Sequence, residues 1–118
     1  YFIWNVDGKF LAKPFGNQVQ LSSINDILVD DINGDGIMDL MMAGNLFYSE
    51  VETPRNDAGY GNLLLGTKSG GFDEIKPQQS GYFGEDEMKN IRAIKIGNKF
   101  TAYLVARNLG DLKMYRFK

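Results

Sequence analysis

Two short apolar runs, residues 24–29 and 40–44, flank the nonapeptide Asp31-Ile32-Asn33-Gly34-Asp35-Gly36-Ile37-Met38-Asp39, with oxygen-bearing side chains at its positions 1, 3, 5 and 9 and glycine at position 6. Carboxylates confined to so short a bend repel one another unless a cation lies among them. A hard dication takes about six to eight oxygens at roughly 2.3–2.6 Å, and a tight loop supplies them from alternate side chains plus a backbone carbonyl. The spacing predicts calcium bound by the side chains of Asp31, Asn33, Asp35 and Asp39 and the carbonyl of Ile37. Gly34 and Gly36 relieve the steric cost of the turn around the ion. The same residue types also favour a metal-free turn, but spacing and charge together favour the ion.

An EF-hand opens with the same string, and two features exclude it here. Its loop closes on a bidentate Glu at position 12, where this chain has Met42. Its loop is also flanked by helices, whereas Ile24-Asn25-Asp26-Ile27-Leu28-Val29 and Leu40-Met41-Met42-Ala43-Gly44 read as short buried strands. The loop is therefore expected to join two strands, with Asp39 completing the ion's shell where the second begins.

The stretch from Ile27 through the loop to Gly44 resembles the integrin-type FG-GAP repeat, also called the VCBS repeat. The resemblance implies an all-β fold of antiparallel, four-stranded β-propeller-type blades in which a calcium loop connects the first two strands. The small-residue segment Ala43-Gly44-Asn45 matches the family's continuation of the second strand. Tyr60-Gly61-Asn62-Leu63-Leu64-Leu65-Gly66, a turn at Lys68-Ser69-Gly70-Gly71, and Phe72-Asp73-Glu74-Ile75 resemble the outer half of the same blade. Such repeats are common in large secreted or envelope-anchored bacterial proteins and in integrin heads.

Repeat logic organises the remainder. Residues 1–12 are aromatic and β-branched on either side of Asp7-Gly8, as a hairpin is. Residues 91–96 and 100–106 around Gly97-Asn98 form another, and 112–117 a further strand. The expected organisation is a partial propeller of about two blades, written as one fragment: an outer hairpin of a preceding blade (1–20), a complete blade with the calcium loop (21–77) and an incomplete following blade (78–118). Propellers close with about four to eight blades, so 118 residues fall short of a ring. Repeat units bury their faces only against each other. The remaining propeller blades, or self-association through open faces and strand edges, are therefore the expected partners. Pairing of the amino-terminal hairpin with the carboxy-terminal strands in a joint sheet would offer an internal alternative.

Composition narrows the function. A net charge of −2 gives no electrostatic case for nucleic acid, and no apolar run approaches the roughly 18 residues of a transmembrane span. Histidine and cysteine are absent, which removes the commonest general base and the thiol nucleophile. The chain is read as non-enzymatic. A noncatalytic accessory part of a polysaccharide-active enzyme is the alternative. Extracellular calcium modules bind at about 10⁻⁴–10⁻³ M, so resting cytosol would leave such a site unfilled. The expectation is an extracytoplasmic location: periplasm, cell surface or secreted.

The connection 45–61 is far longer than a hairpin needs. Its Tyr48, Arg55, Asp57 and Tyr60 combine aromatic, guanidinium and carboxylate groups suited to a protein or carbohydrate partner. Glu50, Glu52 and Asp57 read as solvated, as does the acidic turn Glu85-Asp86-Glu87, whose consecutive side chains diverge on extended backbone. Trp4 reads as core.

Overall fold

In a computed structural model, the structure describes residues 1–47, 52, 54 and 56–117. Strands β1 (Phe2–Val6) and β2 (Lys9–Lys13) form a two-stranded hairpin. Its turn is built on the left-handed conformations of Asp7 (φ 50°) and Gly8 (φ 78°), the pair that matches strand twist in a two-residue turn. Strands β3 (Ile24–Asp30), β4 (Asp39–Gly44), β5 (Asn62–Gly66) and β6 (Phe72–Ile75) make a four-stranded antiparallel meander. Strands β7 (Met88–Ile96), β8 (Phe100–Arg107) and β9 (Lys113–Tyr115) make a three-stranded one. Among the described residues no barrel or propeller ring closes.

Register explains why the middle sheet is apolar on both faces. Leu28, Met41, Leu63 and Ile75 are successive cross-strand partners. Their row forms one core with Met88, Ile91, Tyr103 and Val105 of the three-stranded sheet. The adjacent row, Val29, Leu40 and Leu64, faces the other way. There Met42 and Leu64 pack with Val19, Phe15 and Phe72. Strand β4 is thus covered on both sides, which accounts for its unbroken apolar run rather than an alternating one.

The hairpin lies on this second face. Phe2 meets Phe72 edge to face at 5.4 Å, and Trp4 lies so close to Gly70 that a Cβ there would fall 2.5 Å from the indole. The joint sheet of hairpin and carboxy-terminal strands does not form, because the middle sheet separates them. Trp4 is only partly buried, packing edge-on to Phe2, so the core expectation is met in part. The hairpin covers the β5–β6 end of the face, and Ile27 and Val29 of β3 remain 48% and 56% exposed.

The result is a flat stack with open apolar surface. The chain exposes 7894 Å², against roughly 6,450 Å² for a globular monomer of its mass. Its radius of gyration, 15.2 Å, exceeds the about 13.5 Å of a compact domain this long.

Candidate functional site

The nonapeptide joins β3 to β4, and the first residue of β4 is Asp39. Its amides turn inward onto its own acids. Asp31 Oδ1 accepts from Gly34 N at 2.8 Å and Asp35 N at 3.0 Å, and Asp31 Oδ2 from Gly36 N at 2.9 Å. Asp35 Oδ1 accepts from Ile37 N at 2.8 Å. Asn33 Oδ1 accepts from Asp35 N at 2.9 Å, while its amide group donates to Asp35 Oδ2 at 3.0 Å. This wrapping needs left-handed backbone at Gly34 (φ 78°) and Gly36 (φ 85°), which a side chain would strain.

Asp39 is fully buried. Its Oδ2 accepts from Ile32 N at 2.9 Å and Asn33 N at 3.3 Å, and its Oδ1 from Gly66 N at 2.8 Å. One carboxylate therefore ties the loop to the end of β5. Gly66 is required there, because a Cβ would fall 2.3 Å from the carbonyl oxygen of Met38. Asp30, one residue before the loop, accepts a hydrogen bond from the Tyr103 hydroxyl at 3.0 Å. Burial, then Asp30 and the nearby charges of Asp39 and Asp31, push the Tyr103 phenol well up from its ordinary pKa.

These groups suit calcium by their chemistry. The loop's side-chain ligands are oxygens, and Asp31 Oδ2, both oxygens of Asp35 and Asp39 Oδ1 each keep a lone pair after accepting one described hydrogen bond, whereas Asp31 Oδ1 and Asp39 Oδ2 each accept two. Ion pairs among the described residues join Lys89 to Glu87, Arg92 to Asp26 and Arg107 to Asp86. None of them neutralises Asp31, Asp35 or the buried Asp39. A buried charge without a counter-charge is costly, and a dication in the loop would supply one. Among the described residues, however, no three Asp, Glu, His or Cys side chains converge as a ready-made metal cage. The acids are held by amides along the loop.

Of the expected recognition residues, Tyr48 and Arg55 lie outside the described residues, as does Glu50. Glu52, Asp57 and Tyr60 are exposed. Tyr60 stacks on Phe83, with centroids 5.0 Å apart and planes at 16°. The long connection is pinched at its base by Leu46 and Asn56, which exchange backbone hydrogen bonds of 2.8 and 2.9 Å. Beside this bridge sits Asn45, fully buried and left-handed at φ 75°. Its Oδ1 accepts from Ser22 Oγ at 2.7 Å and Gly59 N at 3.0 Å, and its Nδ2 donates to the carbonyls of Gly59 at 2.6 Å and Asp86 at 3.3 Å. Asn45 thus fixes the connection to the start of β3 and to the next sheet.

The acidic turn 85–87 departs from expectation. Glu87 is buried, paired with Lys89 and accepting from Asn108 Nδ2 at 2.9 Å. Asp86 pairs with Arg107. Only Glu85 is exposed. Hydrogen bonds from Asn108 and Lys89 outweigh burial and hold the Glu87 carboxyl below its usual pKa. The turn is a structural clamp between the start of β7 and the end of β8.

Comparison with known proteins finds no matching family model, no matching curated protein and no matching solved structure.

Proposed function

We propose that the chain is a calcium-stabilised module of β-propeller type, akin to the FG-GAP or VCBS repeat, which serves as an extracytoplasmic scaffold for a protein or carbohydrate partner. The ion is structural: Asp31, Asn33, Asp35, Asp39 and the carbonyl of Ile37 hold it at the β3–β4 turn. The observation that carries this reading is Asp39, a buried carboxylate at the mouth of an acid-rich loop, bound only to backbone amides and to no cationic side chain among the described ion pairs.

The stacking supports the propeller part of the reading. A four-stranded meander carries a second sheet on one face and half-covered apolar positions on the other, as repeat units do when each buries its face on a neighbour. Ile27 and Val29 are where a preceding unit's inner strands would lie.

Calorimetric titration with calcium tests the ion. One binding event, with a melting temperature that rises as the site fills and both effects lost in Asp35→Ala, is the expected result. Binding that leaves stability unchanged would give the ion a regulatory or ligand-bridging role instead. No binding at millimolar calcium would remove the reading.

A further inference from the structure

The exposed ring pair Tyr60 and Phe83 stands at the edge of a cleft of about 500 Å³. That volume lies within the roughly 300–1,000 Å³ of small-ligand sites. Tyr60 and Phe83 are 49% and 39% exposed and belong to neither hydrophobic core. They are nevertheless held in place. Gly84 N donates to the Tyr60 carbonyl at 2.8 Å, and the Tyr115 hydroxyl donates to the Phe83 carbonyl at 3.0 Å. Between them Gly61, at φ 82°, leaves no room for a Cβ against the buried Tyr82 ring. Two aromatic rings are thus pre-positioned in water rather than folded away.

The rest of the lining mixes apolar Leu21, Ala58 and Pro77 with polar side chains. Gln18, Asn62 and Gln78 line the cleft with Lys76, and among the described residues no carboxylate does. A primary amide donates and accepts at once, which matches the hydroxyl groups of a sugar, while the C–H face of a pyranose ring suits the negative face of an aromatic ring. An organic cation fits worse: the rings are parallel to each other rather than arranged as a cage, and a lysine already lines the cleft.

We propose that this cleft binds a neutral oligosaccharide, with an outer face of the stacked Tyr60–Phe83 pair as its platform and the side-chain amides of Gln18, Asn62 and Gln78 as its hydrogen-bonding groups. The proposal deepens the reading of the chain as an interaction scaffold and rests on that reading, but not on the ion.

Affinity electrophoresis of the full chain through gels containing β-glucan, xylan, mannan or galactan tests it. At least one polysaccharide is expected to retard the wild-type chain. Tyr60→Ala and Phe83→Ala should each weaken that binding about tenfold, with melting temperature and calcium titration unchanged. Should Phe83→Ala not fold, Tyr60→Ser and Gln78→Ala carry the test, with circular dichroism confirming their fold. Retardation by none of the four polymers, equal retardation of the variants, or binding of a proline-rich decapeptide in place of the saccharides would overturn the assignment. Calcium binding measured on the same preparations separates failure of the cleft from failure of the module's ion.

Discussion

Replacing Asp39 by Asn probes the junction of loop, strand and neighbour with almost no change of shape. The carboxylate is fully buried and accepts at both oxygens: Ile32 N and Asn33 N on one, Gly66 N on the other. An asparagine has one acceptor end, so its NH₂ must face an amide donor whichever way it is turned. The milder orientation keeps the two loop amides and leaves Gly66 N unpaired beside a donor. A buried unsatisfied group costs about 1–3 kcal/mol, and hydrogen bonds to a charged group exceed those to a neutral one by about 1 kcal/mol. The loss is therefore about 2–4 kcal/mol, or about 8–16 °C in melting temperature for a domain of this length. The ion adds a second, separable quantity. With a dissociation constant of about 10⁻⁴ M, 10 mM calcium stabilises the wild-type chain by about 2.7 kcal/mol, and the variant should forfeit most of that gain. Thermal melts followed by circular dichroism in chelator and in 10 mM calcium read both effects. A variant melting within a degree or two of wild type under both conditions would refute the reasoning.

Further outcomes are expected elsewhere in the molecule. Asn45→Ala leaves Gly59 N and the facing carbonyls without their partner and loses a residue tolerant of positive φ; about 2–4 kcal/mol should vanish in urea unfolding, and a loss under 1 kcal/mol would deny Asn45 its central place. The depressed pKa of Glu87 contributes stability that is complete above the usual carboxylate value of 4.5 and is lost as pH falls through the lower folded value. Melting temperature should therefore fall below about pH 4.5, and Asn108→Ala, which removes the larger cause, should shrink that fall; an unchanged acid limb would contradict the assignment. The exposed Ile27 and Val29 face predicts association at micromolar concentration, reduced by Ile27→Thr with Val29→Thr; a compact monomer in sedimentation velocity would argue that the face is closed.

What was legible in the chain follows the range of the interactions. Residues 31–39 carry their own geometry, since oxygen spacing and glycine placement act within nine positions, and the flanking strands declare themselves by composition. The Asp7-Gly8 turn is equally local. Residues whose roles depend on distant partners were not readable. Glu87 reads as solvated until the pairing of Met88 with Arg107 brings Asn108 beside it. Asn45 reads as a small residue at a strand end until Ser22, Gly59 and Asp86 converge on it. The long connection singles out Tyr60 but not Phe83. The available signal was an adjacent aromatic pair, Tyr82-Phe83, in a glycine-flanked stretch: side chains next to each other on extended backbone point opposite ways, so one is buried and the other is presented.

The central claim, that a dication organises the β3–β4 turn, is tested most directly by calcium titration monitored in two-dimensional amide NMR spectra. The glycine amides report it well, because Gly34, Gly36 and Gly66 each donate to Asp31 or Asp39, whereas Gly59 donates to Asn45, past the end of β4 opposite Asp39. Saturable shifts at Gly34, Gly36 and Gly66, with Gly59 unmoved, are the predicted result. Loop amides that stay where they are through millimolar calcium, or that drift together with every exposed amide, would contradict it.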